Sequence, residues 1–139
     1  HTQQTTSRPF FFFRISFFVF LSFQSTCRFT SSAIYPPPQM IAAFSELHSQ
    51  GFAASVEVWD KEEQLVGGLY GVCLGRCFMG ESMFSLAPSA SKVALIALAQ
   101  LMEKNGGLMI DCQFETPHLR SMGGRHISYD DYLVLLRQE

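Results

Sequence analysis

Apolar and polar positions divide this chain into two unlike stretches. Residues 10–23 read FFFFRISFFVFLSF, apolar almost throughout, with Arg14 near the start. Beyond the triple proline Pro36–Pro38, which breaks regular structure and marks a boundary, the pattern becomes periodic. Met40, Ile41, Phe44 and Leu47 recur at helical spacing and predict an amphipathic helix from about Gln39 to Gln50, ended by Gly51. Ala54–Trp59 (ASVEVW) alternates as a strand does. Leu65–Leu74 and Cys77–Met79 read as two further strands around a tight Gly75-Arg76 turn, with Gly67, Gly68 and Gly71 weakening or bulging the longer one. Ser89 or Ser91 can cap the next helix, whose wide apolar face carries Val93, Leu95, Ile96, Leu98, Ala99 and Met102 before Gly106-Gly107. Leu108–Cys112 is a short strand, a helical turn follows from Pro117 to Met122, and Asp130–Gln138 is a last helix with acids at its N-terminal end. The expected architecture is α+β: a mixed sheet flanked by helices. A helix crossing over to a parallel strand puts ligands at strand carboxyl ends, where the polar end of LMIDCQ lies.

Charge separates the same two stretches. Before Glu46 there are three basic residues (Arg8, Arg14, Arg28) and no acidic ones; from Glu46 onward there are seven basic and twelve acidic. The apolar run is fourteen residues, short of the roughly 20 that a membrane-spanning helix needs, so stable membrane insertion is not expected. Its Ser/Thr- and Arg-containing, acid-free flanks suit an organelle transit peptide. Untranslated or misassigned sequence fits as well, and so does true structure. Residues 1–33 are therefore set apart as a Phe-rich segment, unrelated or targeting-like and expected to be disordered. Residues 34–139 form the domain. Residue 1 is His, so the natural start of translation is expected to lie upstream. A length of 139 residues with 47% hydrophobic residues allows one domain with a real core. A net charge of −2 gives no general pull on nucleic acid.

Three polar clusters adjoin the strands: Gly80–Ser85 (GESMFS), Asp111-Cys112-Gln113, and Ser55–Trp59 (SVEVW). Glu81 could act as a general base, bind an ammonium group, or accept backbone hydrogen bonds in a turn. Asp111 carries the same ambiguity, since a strand-terminal Asp often only caps a loop. Four Cys (27, 73, 77, 112) are too few for a disulfide scaffold. Cys73-x-x-x-Cys77 lacks a second ligand pair, so no metal is expected. Cys112 as a nucleophile needs a neighbouring His; His118 lies six residues on and His48 is far away in sequence, and a small buried thiol is the expectation. No P-loop is present, nor the Gln/Arg-x-x-Gly-x-Gly/Ala run that holds a coenzyme A pyrophosphate, so no cofactor is expected.

The stretch LVGGLYGVCLGRCFMGESMFSLAPSASKVAL, followed by LMIDCQFETPHLRSMGG, closely resembles the leucyl/phenylalanyl-tRNA–protein transferases. The upstream HSQGFAASVEVW resembles that family's Gly-x-Ala-His-Ser-x-Glu-x-Trp pattern, with Ala54 where His is usual. LVGGLYG, GESMFS, ASK and IDCQ occur in order from about Ile34 to the C-terminus, and ordered blocks are far more specific than one motif. The resemblance implies an acetyltransferase-like (GNAT-type) catalytic domain. It implies transfer of Leu or Phe, and less well Met, from aminoacyl-tRNA to proteins with N-terminal Arg or Lys, marking them for N-end-rule degradation. It also implies a cytoplasmic location, or an organelle if residues 1–33 are a transit peptide.

Carried over by position, Gln113 accepts a hydrogen bond from the attacking amine, Asp111 orients Gln113, and Glu81 holds the donor's α-ammonium. Leu69, Met83, Leu95, Leu98, Met102 and Ile110 match places where the family lines an apolar amino-acid pocket; ordinary core is the other reading of all six. The family's separate N-terminal domain and its usual C-terminal extension are not recognisable here. Few cations remain for a tRNA backbone: Arg76, Lys92, Lys104, Arg120 and Arg125. Two other classes stay open, an inactive fragment that binds basic N-termini and a small-molecule N-acyltransferase of similar fold.

Overall fold

The computed structural model describes residues 12–16, 38–113 and 115–138. One five-stranded sheet runs in chain order through β1 (Phe12–Ser16), β2 (Ala53–Trp59), β3 (Leu65–Leu74), β4 (Cys77–Ser85) and β5 (Met109–Asp111). Among the described residues the helices are α1 (Pro38–Ser49), α2 (Ala90–Lys104), α3 (Pro117–Ser121) and α4 (Tyr129–Leu136). Pairing is antiparallel from β1 to β4 and parallel between β4 and β5, the mixed α+β layout expected. Phe12–Ser16, inside the N-terminal segment expected to be disordered, pairs with β2 as an edge strand, and its Arg14 stands in register with Glu57. The rest of residues 1–33 lies outside the described residues.

Strand alternation sorts the sheet into two faces. Val56 and Val58 of β2, Leu69 of β3 and Phe78 of β4 face α2 and meet Ala90, Ala94, Ala97 and Leu98. Ala53, Tyr70 and Phe84 face α1, where Phe44 meets the Tyr70 ring edge-on at 5.4 Å. Burying a side chain of the size of Phe78 or Val58 contributes about 1.5–3 kcal/mol. Helix α2 sits close to the sheet because Gly67 has no side chain: a Cβ there would come within 2.5 Å of the Ala90 Cβ. Neither Ser89 nor Ser91 caps α2 with its side chain. The N-terminal turn instead uses β4, where Ser85 Oγ accepts from the Ser91 N–H at 3.2 Å.

The third strand is longer than its sequence pattern suggested: β4 continues from Met79 through GESMFS to Ser85. The polar residues that hide this sit at a β-bulge. Tyr70 pairs with Ser82 and Gly71 with Gly80, so Glu81 is the extra residue and leaves the ladder. The bulging predicted around the glycines of β3 occurs at two places: Val66, beside Gly67, is the extra residue opposite Val58 and Trp59 of β2, and at Gly71 the extra residue falls on β4. Gly71 is needed opposite it, since a Cβ would lie 2.1 Å from the Met79 carbonyl oxygen.

Candidate active site

Strands β4 and β5 run parallel through three residue pairs, from Cys77↔Met109 to Met79↔Asp111. Beyond that point they part: β4 continues through its bulge and β5 ends. The fork lies at the carboxyl ends of two parallel strands, with Gly80 and Glu81 on one side and Asp111, Cys112 and Gln113 on the other.

Asp111 uses both carboxylate oxygens. Oδ1 accepts from the Gln113 backbone N–H at 2.7 Å, and Oδ2 accepts from the Tyr132 hydroxyl of α4 at 2.8 Å. The first bond closes an Asx-type turn, in which Gln113 takes the left-handed conformation with φ 65. That turn sends the Gln113 side chain back across the fork, where Nε2 donates to the Gly80 carbonyl oxygen at 2.7 Å. Tyr132 is half-buried, its hydroxyl 3.5 Å from Met79 Sδ, and one turn further on the Leu135 carbonyl accepts from Cys77 Sγ at 3.5 Å. The hydrogen bond to Asp111, then burial and the carboxylate charge, push the Tyr132 phenol above its ordinary value. The motif reading missed Tyr132. The available signal was an aromatic with a polar tip three residues before Leu135, on the sheet-facing side of the last helix.

Beside β5 opens a cleft of about 470 Å³, whose lining includes Asp111, Gln113, Arg125 and Tyr132. Its outer wall is the loop on either side of α3, tied by Glu115 to both Arg120 and His126. Those two hydrogen bonds hold the Glu115 carboxyl below the usual carboxylate value. Thr116 caps α3, accepting the Leu119 N–H at 3.1 Å, and Ser128 caps α4, accepting the Asp131 N–H at 3.1 Å.

The other sequence candidates divide between the two faces. Glu81 is exposed at the bulge and lies outside the cleft lining. Leu69 and Leu98 are core residues, 3% and 4% exposed, with Leu95, Met102 and Ile110 packed around them beneath α2. Met83 stands opposite Leu69 and is 39% exposed. Of the six apolar candidates only Ile110 also reaches the cleft. Asp111 alternates with Ile110 and so faces α4, on the opposite side of the sheet from the apolar group. The sequence predicts the acid–amide couple beside the apolar pocket; the sheet instead separates Asp111 from that group, and Gln113 bridges only from the end of β5 to the Gly80 carbonyl of β4.

Cys112 is exposed, not the small buried thiol expected. Desolvation and the Asp111 carboxylate push its pKa up, which disfavours a thiolate nucleophile. Among the described residues no group of three or more His, Cys, Asp or Glu side chains could hold a metal ion. No helix among them is long and apolar enough to cross a membrane. Of the five candidate cations, Arg76 donates to the Gly106 carbonyl at 2.6 Å and Arg120 is held by Glu115.

An antiparallel meander leading into a parallel pair that forks at its carboxyl end, with helices on both faces, defines a GNAT acetyltransferase-type domain. Solved structures agree. A Trypanosoma brucei acetyltransferase superposes with TM-score 0.61 at 10% identity, covering 86% of this chain and 95% of that one. A probable acetyltransferase superposes with TM-score 0.65 at 9% identity, covering 84% and 91%. The chain itself belongs to the leucyl/phenylalanyl-tRNA protein transferase family, whose model matches residues 30–137. The leucyl/phenylalanyl-tRNA–protein transferase of Hydrogenovibrio crunogenus is 54% identical over 101 residues, 73% of this chain and 39% of the relative. That of Nitrosomonas eutropha is 56% identical over 99 residues, 71% of this chain and 42% of the relative. The chain thus spans about two fifths of the length of these curated relatives, and the family resemblance read from its motifs is confirmed.

Proposed function

We propose that this chain carries the reaction centre of an aminoacyltransferase. It moves Leu or Phe from aminoacyl-tRNA to the N-terminal Arg or Lys of acceptor proteins, which then become substrates for N-end-rule degradation. The supporting observation is the fork between β4 and β5, spanned by Gln113 and braced by Asp111, in a chain of this family. An aminoacyl ester is already activated and an α-amine has an unperturbed pKa near 7.7–8.0, so no strong base is required. In the reaction the acceptor nitrogen attacks the ester carbonyl carbon, a C–N bond forms and the C–O bond to the terminal ribose breaks. The proton lost by the amine ends on the leaving ribose oxygen. Holding the two partners in line can be worth roughly 7–11 kcal/mol.

The two faces of the fork suit two substrates. The aminoacyl side chain enters from the α2 side, against Met83 and Ile110, above the floor formed by Leu69, Leu95, Leu98 and Met102. Glu81 at the bulge holds the donor's α-ammonium. Linear and γ-branched side chains fit, and β-branched Ile and Val meet resistance, a discrimination of about 1–3 kcal/mol per methylene. The acceptor amine enters from the α4 side. With its N–H₂ donating to Gly80, the Gln113 amide presents Oε1 as the acceptor for an N–H of that amine. An amide is too weak a base to take the proton outright, so Gln113 positions the amine. The test is incubation with charged leucyl-tRNA and an Arg-starting peptide, read by mass spectrometry. A Leu-extended peptide is expected; peptide binding without transfer by folded chain would contradict the proposal.

A further inference from the structure

A carboxylate at the end of a three-residue strand can turn about its Cα–Cβ bond unless both oxygens are held. In Asp111 they are held from two different directions, Oδ1 by its own chain and Oδ2 by α4. The α4 contact is itself fixed. Ser128 starts the helix, the Leu135 carbonyl is tied to Cys77 of β4, and the Tyr132 hydroxyl lies against Met79. Gln113 depends on the carboxylate, because a non-glycine residue at φ 65 sits in a sparsely populated region that persists only when its surroundings determine it. We infer that Tyr132 is a positioning residue of the transfer reaction: by clamping Asp111 Oδ2, it keeps Oδ1 on the Gln113 N–H and so keeps the Gln113 amide across the fork. This assignment rests on the roles proposed above for Asp111 and Gln113. The raised phenol of Tyr132 agrees with a hydroxyl that donates to a carboxylate. Tyr132 touches no reacting atom in this scheme and acts only through Asp111.

The test is Tyr132→Phe, which keeps the ring and removes only the donor. Hydrogen exchange at the Gln113 amide is expected to accelerate roughly tenfold, the loss expected for a bond to a charged group, and its resonance is expected to move. The Leu108 amide, bonded to the Arg76 carbonyl at 2.8 Å, serves as the internal control and stays unchanged. The transfer rate at saturating donor is expected to fall by about tenfold with little change in donor KM. In an Asp111→Ala background the same substitution is expected to add nothing. An unmoved Gln113 amide, or an equal loss of transfer with and without Asp111, overturns the inference. If the Phe variant does not fold, the Tyr132 phenol resonance in the Asp111→Ala chain decides: its titration must fall toward that of ordinary tyrosine, and an unchanged titration overturns the inference. Should the unsubstituted chain transfer no Leu at all, the functional reading fails while the amide and phenol measurements still decide the clamp.

Discussion

Gln113 combines two unusual features, a left-handed backbone and a side chain that bridges two strands. They can be separated by Gln113→Asn. Asn tolerates the left-handed region but is one methylene too short to reach the Gly80 carbonyl. The folded chain is expected to keep its stability within about 1 kcal/mol while transfer falls roughly 100- to 1,000-fold, the scale of losing one oriented polar group. Urea titration beside a transfer assay checks both halves, and equal loss in both would make Gln113 merely structural. At this scale Asp111 and Gln113 were legible because they lie two apart in one motif. Tyr132 was not, because its partner is 21 residues away and only the docking of α4 brings them together. Cys112 misled for a related reason: strand alternation places it past the last paired residue, where the chain turns outward.

Among the elements, β4 decides the geometry of the site. Its bulge displaces Glu81 from the ladder, and Gly71 makes room for Met79 and Phe78 opposite. Gly71→Ala is expected to destabilise by about 1–3 kcal/mol or more, as overpacking does, because the contact at 2.1 Å is with backbone that cannot swing aside. Leu98→Ala, removing a core side chain that is 4% exposed, is expected to cost about 2–5 kcal/mol. Denaturant midpoints measure both, and a neutral Gly71→Ala would argue against the register described. Helices α1 and α2 and strand β2 were readable from apolar spacing, as in Phe44 and Leu47 and in Val56 and Val58. The second half of β4 was not. Its polar Gly80-Glu81-Ser82 reads as a loop, and only cross-strand pairing with Tyr70 and Gly68 shows that the strand resumes through Ser82, Met83 and Phe84.

For the whole molecule, charge sets the expectations. The net charge is −2, and two of the five candidate cations are already engaged within the fold, so few are left for phosphates. A leucyl-adenosine donor is therefore expected to serve within about tenfold of full leucyl-tRNA in kcat/KM, since binding of a nucleic-acid backbone scales with the number of phosphates neutralised. Much stronger preference for the full tRNA would show that this surface engages its backbone after all. The loop that walls the cleft has its own pH response. Because Arg120 and His126 lower the folded pKa of Glu115, the contribution of the Glu115 contacts is complete above the unfolded value near 4.3 and fades as pH falls through the lower folded value. Glu115→Gln is expected to lower Tm slightly at neutral pH and to match the unsubstituted chain in acid; a gap that persists in acid would rule this out. The family and fold were legible in the ordered motif blocks, and so was the opposite facing of Ile110 and Asp111, since neighbours in a strand alternate; only the packing of α2 and α4 shows what covers each face. The decisive measurement is a single-turnover transfer of Leu from leucyl-tRNA to an Arg-starting peptide, comparing the chain with its Asp111→Ala variant at matched folded concentration. Transfer by the first and at least about a hundredfold slower transfer by the second is the predicted result, and equal rates would contradict it.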